Sequence, residues 1–73
     1  MKMHKIPAPV TGSIWIHSTS VGATVTRGGQ LLVMECMKTE FPVESPCDGE
    51  VIMLATPATN VEEGDTIAMV RES

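Results

Sequence analysis

At 73 residues the chain has room for one small domain, 1–73, which buries only roughly 60% of its unfolded surface. A hydrophobic share of 42% beside 19% charged residues suits a packed fold and excludes a disordered chain. A net charge of -4 lacks the basic face that nucleic acid or an anionic membrane surface requires. No apolar run nears the roughly 20 residues of a bilayer span, and residues 1–7 lack the apolar stretch of a signal peptide. The expectation is a cytosolic protein, or a piece cut from a larger soluble one. Two cysteines, Cys36 and Cys47, are too few for a small secreted disulfide scaffold and read as free thiols. Together with His4 and His17 they make no metal-ligand spacing, so no metal site is assigned, and both histidines read as solvated or locally satisfied.

Taken in order, residues 3–6 form a short extended run that closes at Pro7-Ala8-Pro9, where a helix is forbidden. After a turn at Val10-Thr11-Gly12, residues 13–17 are rich in β-branched and aromatic side chains and predict a strand. A polar loop and a brief extended piece at 23–25 lead to the turn Arg27-Gly28-Gly29 and a strand over 30–35. Residues 39–44 run back out, and Pro42 makes that run an edge strand. A turn at 45–49, a strand over 50–55, a loop and a second turn at 61–65, and a last strand over 66–71 complete the chain. No window carries a helical period of helix length, so the expected class is all-β, built from short strands. Alternation places Ile14, Ile16, Leu31, Val33, Val51, Met53, Ile67 and Met69 in the core. Gly12, Gly28, Gly49 and Gly64 are read as turn glycines needing unusual φ.

A repeat runs through these elements. Pro9-x-x-Gly12 returns as Pro46-x-x-Gly49, a shift of 37, and Val25-x-x-Gly28 returns as Val61-x-x-Gly64, a shift of 36. Neither half can bury an adequate core alone, so the halves must pack on each other as a pseudo-two-fold, flattened barrel or sandwich of two small antiparallel sheets. The same shift carries Lys38 back to the vicinity of Met1. The symmetry mate of the hairpin tip Met37-Lys38 is therefore the pair of chain ends, which places ends and lysine at opposite poles.

That tip breaks a local rule. A two-residue hairpin turn favours Asn-Gly or Asp-Gly because its central residues take positive φ. Met37-Lys38 offers neither, and a rule broken at a hairpin tip marks a functional site. Glu35-Cys36-Met37-Lys38-Thr39-Glu40, preceded by Gly28-Gly29-Gln30-Leu31 and followed by Pro46-Cys47-Asp48-Gly49, resembles the biotinyl domain, the biotin carboxyl carrier module of biotin-dependent carboxylases. The likeness covers essentially the whole chain. The family's usual pattern is Glu-Ala-Met-Lys-Met: Cys36 stands where Ala or Ser is common, and Thr39 replaces the second Met. Ala58 takes the place of the glycine that Gly22 supplies in the first half. No inserted thumb segment is visible.

The resemblance implies that Lys38 receives covalent biotin from a separate biotin protein ligase, with Met37 and Thr39 flanking the acceptor as recognition residues. It implies further that the tethered group shuttles carboxyl between biotin carboxylase and carboxyltransferase subunits or domains, while the carrier itself forms no bonds. A carrier belonging to an organellar carboxylase would reside in the mitochondrial matrix or plastid. Met37 is either an exposed apolar contact for those partners or a cover for the barrel end beside Cys36. Glu35 and Glu40 either steer partners or form a solvated rim. Three other functions compete. A lipoyl domain shares the fold, but it generally has Asp before its lysine. An unmodified β-sandwich would serve only for interaction. An enzyme using Cys36 or Cys47 as nucleophile would need a histidine partner that the sequence does not suggest.

Overall fold

The β-prone runs and their Gly/Pro interruptions become eight strands in the computed structural model, which describes residues 2–73. They are β1 (Met3–Pro7), β2 (Gly12–His17), β3 (Thr24–Val25), β4 (Gln30–Cys36), β5 (Thr39–Glu44), β6 (Gly49–Leu54), β7 (Asn60–Val61) and β8 (Thr66–Glu72). Two four-stranded antiparallel sheets result, ordered β1-β8-β6-β3 and β5-β4-β2-β7. The flattened all-β sandwich expected from the sequence is thus the observed fold, with β5 on an edge as Pro42 requires. The short β7 straddles the end of the stretch read as a loop and the start of the turn at 61–65.

Each sheet draws two strands from each half of the chain, so the repeat is interlocked instead of stacked. Backbone hydrogen bonds between the halves come in matching couplets. Ile14 N–H donates to Thr59 O, and Ala58 N–H donates to Ile14 O; Val51 N–H donates to Ala23 O, and Gly22 N–H donates to Val51 O. Ile14, Leu31, Leu32, Met34, Val51, Ile67 and Val70 fill the space between the sheets with side chains under 2% exposed. Each contributes roughly 1.5–3 kcal/mol of burial free energy.

Three of the residues assigned to the core by simple alternation do not reach it. Ile16 is 52% exposed and Met53 and Met69 are half-buried, whereas Val33 is buried as expected, beside the inner cluster. For Ile16 and Met53 the cause is a pair of β-bulges; Met69 falls out of phase because the β1–β8 register skips Ile67. Between Ile14 and Ile16 the β2–β4 register slips, and between Val51 and Met53 the β6–β8 register slips in the same way. One extra residue, Trp15 or Ile52, reverses the inside-outside phase of everything beyond it. Ile16 then faces Val33, and Met53 faces Met69, as matching outer pairs. A further irregularity, between Gln30 and Leu32, lets Leu31 and Leu32 both reach the inner cluster.

Gly28 and Gly64 do take positive φ, 84° and 94°. Gly12 and Gly49 do not; they are glycine because another strand passes too close. A Cβ at Gly12 would lie 2.5 Å from the Glu35 carbonyl oxygen of β4, and one at Gly49 would collide with the Arg71 carbonyl of β8. Ala58 carries the left-handed φ of its mate: 68° against 93° for Gly22. An alanine pays roughly 1–2 kcal/mol to stand there, partly offset by the greater unfolded-state entropy of glycine. Ala58→Gly is therefore expected to raise stability by roughly 0.5–1 kcal/mol, read as a higher urea midpoint at unchanged slope. An unchanged or lower midpoint would contradict this assignment of strain.

Candidate functional site

Among the described residues one hairpin pairs consecutive strands, β4 with β5, and Glu35↔Glu40 and Cys36↔Thr39 are its final pairs before the bend. The bend itself is Met37-Lys38, with φ of 51° and 65°. These are the two successive positive values of a type I′ turn, occupied by residues that disfavour them. The central strand β4 holds the base of this hairpin rigid, because Leu32 and Met34 are fully buried. The lysine therefore rides on the end of a fixed element. Met37→Asn is expected to stabilise the domain by roughly 0.5–1 kcal/mol, since asparagine tolerates this backbone better; urea unfolding provides the check.

Lys38 and Thr39 are exposed, and Met37 is 93% exposed. Of the two readings for Met37, the outward one holds. Among the described residues no ion pair engages Lys38, Glu35 or Glu40; the two that form are His4–Glu72 and Arg71–Glu50. Glu35 and Glu40 stand directly opposite each other across the hairpin, a like-charge pairing that costs stability and leaves two carboxylates flanking the amine. A groove of about 640 Å³ opens beside the tip, lined by Cys36 and Met37 together with Thr11, Ser13, Asn60 and Glu62. Its walls come from both halves of the chain, so no local sequence signal announces it.

The chain ends gather at the other pole. Glu72 N–H donates to Lys2 O, and Ser73 N–H donates to Asp48 O. The Asp48 carboxylate in turn accepts from Arg27 N–H, and Gly28 N–H donates to Ser45 O. Residues 27–29 precede β4 at the end away from Lys38. Seven residues of β4 at about 3.4 Å each put roughly 24 Å between the two poles, within a molecule whose principal extents are 35 × 19 × 18 Å. Cys36 lies at the lysine pole and Cys47 at the pole of the ends, so the thiols are far apart and both free. His17 is satisfied locally, with Nε2 2.7 Å from Ala55 O. His4 is not merely solvated: it meets Glu72 at 2.5 Å and lies beside Cys47, a proximity that the sequence did not suggest.

An exposed primary amine on a rigid turn, clear of ion pairs, has the chemistry of an acylation site, and an amide to a carboxylic cofactor such as biotin fits it. Comparisons with known proteins identify the family. Residues 1–70 match the family model described as "Biotin-requiring enzyme". Over 62 residues the chain is 34% identical to urea amidolyase of Lachancea kluyveri, covering 84% of this chain and 3% of that one. Over 63 residues it is 43% identical to pyruvate carboxylase of Staphylococcus aureus, covering 86% of this chain and 5% of that one. The crystal structure of Kluyveromyces lactis urea carboxylase superposes with a TM-score of 0.89 at 29% identity, over 97% of this chain and 6% of that one. The chain thus spans a small fraction of the length of these relatives. With the family model matched over residues 1–70 and relatives more than 30% identical across most of the chain, the chain belongs to the family of biotin-requiring enzymes.

Proposed function

We propose that Lys38 is the residue that carries biotin, attached as an amide by a separate biotin protein ligase, and that the domain makes no catalytic contribution of its own. The observation that carries this reading is the Met37-Lys38 turn, forced into positive φ at the pole remote from the chain ends. When bound, biotin supplies a ring nitrogen that takes up and gives up a carboxyl group. The work of the chain is to present it. Met37 offers an apolar contact, Thr39 a small neighbour that lets a partner approach, and Glu35 with Glu40 an acidic surround. Attachment removes the Lys38 charge, making the tip more acidic.

On this reading the partners are a biotin carboxylase site and a carboxyltransferase site, as subunits or domains of one carboxylase, located in the cytoplasm or in an organelle. Tethering replaces free diffusion between those sites by a high local concentration. The lipoyl alternative, with Met37 where that family generally has Asp, is separated by one experiment. The chain is incubated with biotin ligase, ATP and biotin, and in parallel with lipoate ligase and lipoate, and the acylated peptide is mapped. Biotin on Lys38 alone supports the proposal. Lipoate there, or no acylation, overturns it.

A further inference from the structure

We propose that His4, Cys47 and Glu72 form a binding site for Zn(II) at the pole where the chain ends meet. An imidazole nitrogen, a thiol sulfur and a carboxylate oxygen from these residues all lie within 4.8 Å of one another. Imidazole, thiolate and carboxylate are the three donor types that zinc accepts, at roughly 2.0–2.3 Å each. One thiolate and one carboxylate neutralise the charge of the ion. Ligands on a tetrahedral centre of that size sit roughly 3.3–3.7 Å apart, so the trio needs movement of the order of 1 Å, with His4 Nε2 and Glu72 Oε1 parting from their 2.5 Å contact. The three side chains border a cleft of about 370 Å³, which leaves an open side for a fourth ligand. Arg27 and Asp48 also line it, the Asp48 carboxylate accepting from the Arg27 backbone N–H.

The internal repeat provides the control. A shift of 37 relates His4 to Phe41 and Cys47 to Val10, and a shift of 36 relates Glu72 to Cys36. The pairing agrees, since His4 faces Val70 as Phe41 faces Met34. At the lysine pole these positions hold Phe41 and Val10, packed against the core, and one half-buried thiol. Apolar side chains therefore satisfy the fold at this layer. At the opposite pole the same layer holds three metal-binding side chains, two of them on inward phases of β1 and β8, in line with the buried Ile6 and Val70. Packing accounts for Cys47, which lies in the core cluster, but not for His4 and Glu72; a bound cation accounts for all three. Binding releases the thiol proton and moves the remaining N–H of His4 to its other ring nitrogen. It ties β1, the 46–48 turn and β8 together.

The test uses the 73-residue chain without any affinity tag, titrated with Co(II) as a spectroscopic stand-in and then with Zn(II). One equivalent of Co(II) should produce a thiolate-to-cobalt charge-transfer band, which Zn(II) abolishes. The band should persist in Cys36→Ser and vanish in Cys47→Ser. His4→Ala and Glu72→Gln should each weaken Zn(II) binding by at least about 10-fold, as loss of a direct ligand costs no less than loss of a supporting group. At a hundredfold excess over Kd, Zn(II) should raise the thermal midpoint by roughly 10–20 °C. Metal-free melting of each variant separates loss of the site from loss of the fold. No band in the parent chain, a band that follows Cys36, or equal binding by His4→Ala and Glu72→Gln would each overturn the site. Lys38 lies at the far pole, so its acylation should be the same with and without metal.

Discussion

Lys38→Arg should abolish biotin incorporation while leaving the fold untouched. Arginine keeps the positive charge and the long stem, but its guanidinium stays protonated and cannot act as the acyl acceptor. Lys38 is exposed and outside every ion pair among the described residues, so the change in stability should stay within about 0.5 kcal/mol. In a ligase assay the parent chain should take up one biotinyl group and become one unit more acidic than its formal -4; isoelectric focusing reads that shift. The variant should show neither. Incorporation persisting in Lys38→Arg would move the acceptor to Lys2 or Lys5 and remove the basis for the carrier assignment at the hairpin. Carboxylation supported by an unmodifiable variant would instead favour a purely structural role.

Leu31→Ala should be the most damaging of the core truncations, and Ile16→Ala nearly silent. Leu31 is fully buried in the inner cluster, and deleting a buried leucine typically costs about 2–5 kcal/mol. A chain of this length has a total stability of roughly 4–11 kcal/mol, so the thermal midpoint should drop by some tens of degrees, roughly 10–30 °C. Ile16 is placed in the core by plain alternation but is 52% exposed beyond the Trp15 bulge. Its truncation should cost less than about 1 kcal/mol. Urea unfolding of the two variants side by side decides the matter: comparable losses would mean that the bulge does not direct Ile16 outward in solution.

The contrast between those residues shows what a sequence reveals here and what it conceals. Strand content, the edge position of Pro42 and the positive-φ bend at Met37-Lys38 depend on neighbouring residues, and each is legible. The two-fold relation is legible too, because Pro-x-x-Gly and Val-x-x-Gly occur twice in the same order. The bulges are not. Trp15 and Ile52 are good strand formers with no glycine to mark them, so a one-residue slip leaves no trace in composition, yet it turns Ile16 and Met53 outward. Gly12 and Gly49 were legible as necessary glycines for the wrong cause, since the strand that excludes a side chain is distant in the chain. The cluster of His4, Cys47 and Glu72 comes from pairing the first strand with the last and closing a turn over both, and no spacing rule reaches that far.

Entry and exit of the polypeptide occur side by side, with the Glu72 amide held by the Lys2 carbonyl. A module wired in this way can be spliced into a surface loop of a host enzyme as readily as it can be hung from the end of one, because the host strand departs and returns across a narrow gap. Joining Lys2 to Ser73 by a short bridge should likewise give a circular molecule, and reopening it at the 18–20 loop a permuted one, with the hairpin's outlook unchanged in both.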